Sequence, residues 1–174
     1  FYGDRFAYNF FGWGNETEST IDNLAYNRVQ NSLIFINPSF RRLFARGNGQ
    51  LLFGGTFRAI ELKNTEGRFI SDYDNETDDI FDRKLQLGLK FQFNYENSDN
   101  PLIPTSGTKF NSSLGWEKDV LGDNINFAKL NVSSSFYYSL DKRQFFTLAL
   151  RLGTTHNWGN FQFYDGAILG GSAN

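Results

Sequence analysis

A strict alternation of apolar and polar residues between Lys84 and Glu96 constrains this chain more than any other feature of its sequence. Every odd position from Leu85 to Tyr95 is apolar, and every even position is polar or glycine. A period of two places the apolar side chains on one face of a strand, whereas helical spacing would scatter them around the axis. Strands of soluble proteins have about five or six residues, but a tilted strand needs about 9 to 11 to cross a membrane. The segment therefore predicts a membrane-spanning strand.

Similar segments recur along the chain, and together they predict an all-β fold. The glycine pair at Gly54 and Gly55 interrupts one of them, leaves its outward face open and predicts a kink. The expected architecture is an antiparallel transmembrane β-barrel, with about seven strands in this sequence. Besides the strand at 84–96, we place clear strands at 128–140 and 146–158 and weaker ones at about 5–13, 26–43, 50–63 and 108–118.

Composition agrees with strands that have one apolar and one wet face. Aromatic residues make up 18% of a chain whose mean hydropathy is only -0.46. The net charge of -2 argues against a nucleic-acid partner, and the absence of cysteine removes disulfides, thiolate zinc sites and cysteine nucleophiles. No apolar run is long enough for a spanning helix. His156, the single histidine, is interpreted as a membrane-interface residue beside Trp158, so we expect no cofactor and no enzyme activity.

The links between strands alternate in length, which predicts their sides of the membrane. Short or proline-containing links at 45–49, 99–107 and 141–144 are typical of periplasmic turns. Longer polar links at 14–23, 64–79 and from 159 onward are typical of extracellular loops, although the short link at 121–124 fits this rule less well. Aromatic residues near the strand ends match the girdles of outer-membrane barrels: Phe10, Phe11, Trp13, Trp116, Tyr137, Tyr138 and Trp158.

Two groups of polar residues are candidates for function. Side chains on the wet parity are expected to face the lumen, where they could line a solute pore, cradle a returning loop or simply be solvated. Asp72, Asp74, Glu76, Asp78 and Asp79 could hold calcium or another bridging cation, or form a solvated loop without a metal. The lumen-facing candidates are Lys84, Gln86, Lys90, Gln92 and Arg151.

Two motifs resemble those of the BamA/TamA-type outer-membrane assembly-factor superfamily, the bacterial surface-antigen barrels. The turn from Asp99 to Gly107 is similar to the family's D-N-P-x-x-P-T-x-G turn, and Gly170 with Gly171 matches the start of its G-G-x-x-x-(V/L)-R-G-(Y/F) loop. A weaker likeness to Bacteroidota members lies in 11–17 and 26–28. The matching turn residues are Asp99, Asn100, Pro101, Pro104, Thr105 and Gly107.

The resemblance implies that the strands are the fifth to eleventh of sixteen. Residues 1–174 would then be part of one outer-membrane barrel domain, with the N-terminal region and the closing strands outside this sequence. It also implies a non-enzymatic function in inserting or exporting proteins, in which a weak seam accepts incoming strands by β-augmentation. The implied partners are outer-membrane lipid and lipopolysaccharide, periplasmic domains, accessory outer-membrane proteins and unfolded client proteins. A passive porin, an anchor for a fused phosphoesterase or patatin-like lipase, and a soluble lipocalin-like barrel remain alternatives.

Overall fold

The computed structural model describes residues 2–10, 12, 25–73, 78–122, 124–141, 143 and 145–166. Within them, eight antiparallel strands form one sheet in the order β1-β2-β4-β5-β6-β7-β8, and β3 also pairs with β4. The strands are β1 (Tyr2–Asn9), β2 (Arg28–Ile36), β3 (Ser39–Phe44), β4 (Gly49–Leu62), β5 (Lys84–Ser98), β6 (Gly107–Asp119), β7 (Asn126–Ser139) and β8 (Thr147–Asn160).

The all-β antiparallel prediction is confirmed, and the described part of the chain has eight strands where about seven were expected. The expected strand at 26–43 is two strands, because Pro38 has no N–H to continue the ladder. The Pro38 carbonyl instead accepts a hydrogen bond from the Gly55 N–H at 3.1 Å. A Cβ at Gly54 would overlap that same carbonyl, so glycine allows the close approach. β4 continues through both glycines, and there its partner changes from β3 to β2.

Four helical segments lie outside the strands in the part of the chain that the structure describes. The predicted loop at 64–79 contains the helix α1 (Phe69–Tyr73) and the start of a 3-10 turn at Asp78–Phe81, neither of which its polar sequence indicated. Two further 3-10 turns lie at Ala45–Gly47 and Phe163–Asp165. None of the helices in the described ranges combines the length and the apolar character needed to cross a membrane.

By its internal contacts the chain divides into two units. Unit 1 comprises 1–37, 56–87 and 119–124, and unit 2 comprises 38–55, 88–118 and 125–174. Several strands contribute residues to both units, because β4 and β5 each pass from one into the other.

Unit 1 contains a small apolar core on one face of β2 and β4. Ile60 lies opposite Leu33 in the register, and both share a face with Val29. Val29 and Ile60 are 2% and 4% exposed. The loop carrying α1 is bound to the start of β2, where the Phe69 N–H donates to the Tyr26 carbonyl at 2.9 Å. The Phe69 ring also contacts the Tyr26 ring, with centroids 6.0 Å apart. The loop that carries α1 is therefore folded and attached to the sheet next to the start of β2.

In unit 2 one face of β7 and β8 carries exposed apolar side chains, and the other face carries polar side chains that hydrogen-bond to one another. Phe136 lies opposite Leu150, and these side chains are 45% and 52% exposed. On the other face, Asn131 accepts a hydrogen bond from the Thr155 hydroxyl at 2.9 Å and donates one to the Ser113 hydroxyl at 3.2 Å. Soluble proteins favour the opposite distribution, in which the covered side chains are mostly apolar.

Candidate functional sites

The turn between β5 and β6 is organised around one carboxylate. Oδ1 of Asp99 accepts hydrogen bonds from the backbone N–H groups of Asn100, Thr105 and Ser106 at 3.0, 2.9 and 3.0 Å. The Thr105 hydroxyl donates to Oδ2. That hydroxyl, and then the Ser106 and Thr105 amides, lower the pKa of Asp99 to about 2, because each bond stabilises the ionised carboxylate. The carboxylate therefore stays charged and fixes the turn at any pH above about 4.

The remaining matched residues of this turn also have identifiable structural roles. The Asn100 side chain accepts hydrogen bonds from the Leu102 and Ile103 amides at 2.9 and 3.2 Å, forming an Asx turn after Asp99. The Pro101 carbonyl accepts a hydrogen bond from Lys109 Nζ at 2.8 Å. Pro104 lies between these bonded segments, where its fixed φ suits the turn. Each residue restricts the path of the chain, so the motif builds one defined turn.

Gly107 ends the turn in a conformation that suits glycine. Its φ is +110°, and a Cβ there would overlap the Asn97 carbonyl oxygen of the adjacent strand. Both features exclude a side chain at the first residue of β6. Of the matched positions, Gly170 and Gly171 lie outside the described residues, so their role stays a prediction.

The five predicted lumen residues do not form one cluster. Lys84 and Gln86 of β5 are only 2% and 1% exposed, whereas Lys90 and Gln92 on the same strand are half-buried. Arg151 is exposed on β8, three strands from β5 in the sheet order. The contacts of these side chains do not show which of them face a water-filled lumen. That assignment stays a prediction.

The sequence reasoning missed a hydrogen-bonded polar pair in unit 1, formed by the half-buried Arg58 and the buried Gln86. Both Nε and Nη2 of Arg58 donate to Oε1 of Gln86, the Nε bond at 2.8 Å. Arg58 follows the Gly54-Gly55 interruption, where the sequence left the outward face of the strand open. The available signal was a charged residue at an even position of β4, followed at the next two even positions by the apolar Ile60 and Leu62. A forked donor on one amide oxygen fixes both side chains.

In unit 2 the chain beyond β8 returns to the polar face of the sheet. Gly159 has a φ of +95°, and the following residues turn back so that the Phe161 ring contacts Phe127 with centroids 6.3 Å apart. Lys129 Nζ then donates to the Asp165 carbonyl at 3.1 Å and to the Gly166 carbonyl at 3.4 Å. Asn157 donates to the same Asp165 carbonyl at 2.8 Å. Polar side chains of β7 and β8 thus hold the returning segment.

The single histidine and the acidic run were the other candidates for chemistry in the sequence. The His156 ring contacts Trp158 edge-on, with centroids 4.4 Å apart, and both are exposed. Asp74 and Glu76 of the acidic run lie outside the described residues, as do the side chains of Asp72, Asp78 and Asp79. Among the described residues, no three His, Asp or Glu side chains come together in a way that could hold a metal ion. The cation question for the run stays open as a prediction.

These features define a two-faced antiparallel sheet with long strands, a rigid turn and a returning segment. The Omp85 superfamily domain model matches residues 1–174. The chain therefore belongs to the Omp85 superfamily, whose members are outer-membrane proteins of the insertion and export class. This confirms the predicted superfamily. No curated protein shows significant similarity to the chain.

Proposed function

We propose that this sheet is part of the wall of a sixteen-stranded transmembrane β-barrel in the bacterial outer membrane. The observation that carries the proposal is the distribution of side chains along β5. Leu87, Leu89 and Phe91 are 46%, 50% and 43% exposed, while Lys84 and Gln86 of the same strand are buried. Exposing that apolar row to water would cost about 25 cal/mol per Å². Lipid contact removes this cost, and a closed barrel satisfies the backbone groups of every strand.

Residues 1–174 form, in this proposal, part of one barrel domain. β1 and β8 each pair on one side only among the described residues, and unpaired strand edges in hydrocarbon cost several kcal/mol per polar group. Additional strands would close the wall. The polar set of Lys84, Gln86, Lys90, Gln92 and Arg151 would face the lumen, while lipid and lipopolysaccharide would surround the outside.

The barrel would assist the membrane insertion or export of other proteins and would itself catalyse no reaction. Membership of the superfamily supports this class of function. The segment held by Lys129 and Asn157 against the polar face of β7 and β8 would occupy part of the lumen and narrow a passive pore there. Unfolded client proteins, periplasmic domains and accessory outer-membrane proteins are the expected partners. A bacterium of the Bacteroidota is the proposed source.

The test is assembly of an unfolded outer-membrane client into liposomes that contain the full-length protein. We expect folded, protease-resistant client to accumulate faster than in empty liposomes. Liposomes with an unrelated passive porin at equal copy number are the control, since any barrel disturbs lipid packing. Equal rates with the two proteins would contradict an insertion or export function. Large, steady, solute-selective conductance would then favour a porin, and hydrolase activity from an upstream domain would favour an anchor.

A further inference from the structure

The short strand β3 carries Arg42 on an apolar face, and Arg46 lies in the turn that follows the strand. Phe40 lies opposite Phe53 in the register and Arg42 lies opposite Leu51, so these residues share one face. Phe40 and Phe53 are 75% and 56% exposed, and Arg42 and Arg46 are exposed too. We call the group formed by Phe40, Arg42, Arg46 and Phe53 the arginine patch.

The apolar character of this face extends beyond the patch within unit 2. The Phe44 ring covers Gly49 and stacks on Phe93 with centroids 5.9 Å apart. Phe93 in turn contacts Phe110 edge-on, with centroids 5.7 Å apart. Arg42 lies on the same face of β3 as Phe44, two residues before it, and so borders this row of aromatic rings. The proposed function places that face in lipid.

The patch has no acidic neighbours in sequence to neutralise it. Five arginines and no Asp or Glu occur between Asn23 and Ile60. Among the described residues, no hydrogen bond or ion pair engages the side chain of Arg42 or Arg46. An anionic group from outside the described chain would therefore complement this surface.

The turn that carries Arg46 is strained in a way that its sequence could have avoided. Ala45 and Arg46 have φ of +51° and +58°, which is left-handed backbone that glycine or asparagine adopts more readily. The strained backbone presents Arg46 at the end of the hairpin, two residues beyond Phe44. Strain of this kind at an exposed residue points to a role for its side chain.

The position of Arg42 along β3 indicates what kind of ligand it could bind. Arginine on a lipid-facing strand is costly at the middle of the bilayer and almost free near its surface. Arg42 lies three residues before the turn, where the strand leaves the hydrocarbon, and a long side chain can extend from there to the surface. A guanidinium donates two parallel hydrogen bonds to a phosphate, which makes arginine well suited to phosphate recognition.

We propose that the arginine patch binds the phosphate headgroup of an anionic phospholipid, with Phe40 and Phe53 against its acyl chains. The site would tie this end of the wall to the leaflet that its turns face. The inference rests on the proposed membrane location and adds a lipid class and its binding residues to it.

The test uses the full-length protein in detergent, titrated with phosphatidylglycerol and followed by native mass spectrometry. Attraction to an anionic lipid is worth about fivefold per arginine, so Arg42→Gln with Arg46→Gln should weaken binding about 25-fold. The matched control is Arg83→Gln with Lys118→Gln, which removes the same charge from exposed residues outside the patch and should change binding less than twofold. Binding within twofold of wild type in the patch variant, equal loss in the control, or equal wild-type affinity for phosphatidylcholine would overturn the proposal.

A second pair of variants separates binding from turn stability. Arg46→Gly and Ala45→Gly each relieve a left-handed residue, so both should leave folding intact or improve it. Only Arg46→Gly should weaken phosphatidylglycerol binding, by about fivefold. Equal binding by the two variants contradicts the role of Arg46.

Heat-modifiable migration of each variant, together with outer-membrane fractionation, distinguishes the two failures. If the full-length protein does not fractionate with the outer membrane, the proposed function fails and this inference fails with it. If every variant is folded in the membrane and the patch substitutions do not alter lipid binding, only this inference fails.

Discussion

The two units of the chain use the same strand periodicity for opposite purposes. In unit 1, Val29, Ile60 and Leu62 are buried in an apolar core accompanied by the loop that carries α1. In unit 2, the apolar side chains of β7 and β8 are largely exposed, and polar side chains of the opposite face hydrogen-bond to one another and to the returning segment. Within β7, Leu130 and Val132 are half-buried, and Phe127 is buried beside Phe161, which follows β8.

The comparison shows that the alternation of apolar and polar residues gives a strand two different faces, but does not determine whether protein or solvent covers each face. Burial of an apolar face by protein stabilises it in water or in lipid alike. An exposed apolar face is stable only where the solvent is itself apolar. Unit 1 should therefore respond to the loss of packing in any medium, whereas the exposed face of unit 2 should respond to the bilayer.

The largest expected effect is in the core of unit 1. Ile60→Asp places a carboxylate where 4% of the side chain is exposed, which should destabilise the fold by about 4 kcal/mol. The loss should appear equally in detergent and in liposomes, measured as the urea midpoint of heat-modifiable migration. Ile60→Val, which removes only one methylene, should cost about 1 kcal/mol. A carboxylate at Ile60 tolerated like valine would show that unit 1 has no protein core.

Leu89→Arg examines the exposed face of unit 2 with a charge at mid-strand. Leu89 is 50% exposed in the described structure, so the substitution removes little protein packing. In a bilayer it should cost about 2 to 4 kcal/mol, because arginine near the midplane loses its hydration. In detergent micelles we expect a smaller loss, and Lys90→Arg should be nearly neutral in both. Equal loss in micelles and bilayers, at the size seen for Ile60→Asp, would erase the distinction between the units.

The polar network of unit 2 should respond to the loss of a single amine. Lys129→Ala removes the hydrogen bonds to the Asp165 and Gly166 carbonyls, which should release the returning segment at a cost of about 2 kcal/mol. Protease cleavage within 161–166 should increase about 30-fold if local opening limits it. Lys118→Ala, at an exposed position of β6, is the matched control. Unchanged protection would show that Phe161 and Asn157 suffice to hold the segment.

The smallest effect is confined to the turn between β5 and β6 and depends on pH. The pKa of Asp99 is lowered to about 2, so the stabilisation is complete above the unfolded value near 4 and is lost as pH falls through about 2. Pepsin cleavage at Leu102 should increase between pH 4 and pH 2, relative to a free peptide of the same sequence. Asp99→Asn should be cleaved at the same relative rate throughout this range. A flat profile for wild type would mean that the carboxylate does not hold the turn.

Much of the sheet was predictable because strand length and alternation are local properties. The strands expected at 84–96, 108–118 and 146–158 were found with ends displaced by two residues or fewer. The break at Pro38 was missed because a proline can lie within a strand at the edge of a sheet. Whether the strand ends there depends on its pairing with the chain at Gly55, which is not a local property of the sequence.

The functional sites were predictable only where their residues are close together in the sequence. The turn motif named the residues that Asp99 brings together, because its bonds lie within eight positions of one another. The Arg58–Gln86 pair and the Lys129 contacts join residues 28 to 37 positions apart, and their distances depend on sheet register. The arginine patch combines neighbours in sequence with a register partner at Phe53, so composition alone showed its charge but not its face.

The most direct test of the central claim is to measure what contacts the two sides of β5. The 174 residues contain no cysteine, so Leu89→Cys and Lys90→Cys can each carry one bimane label in the full-length protein, provided that it has no other cysteine. In liposomes of brominated lipid, we predict strong quenching at position 89 and weak quenching at position 90, with the reverse order for aqueous iodide. Iodide quenching of position 89, with no effect of brominated lipid, would contradict a lipid-facing sheet.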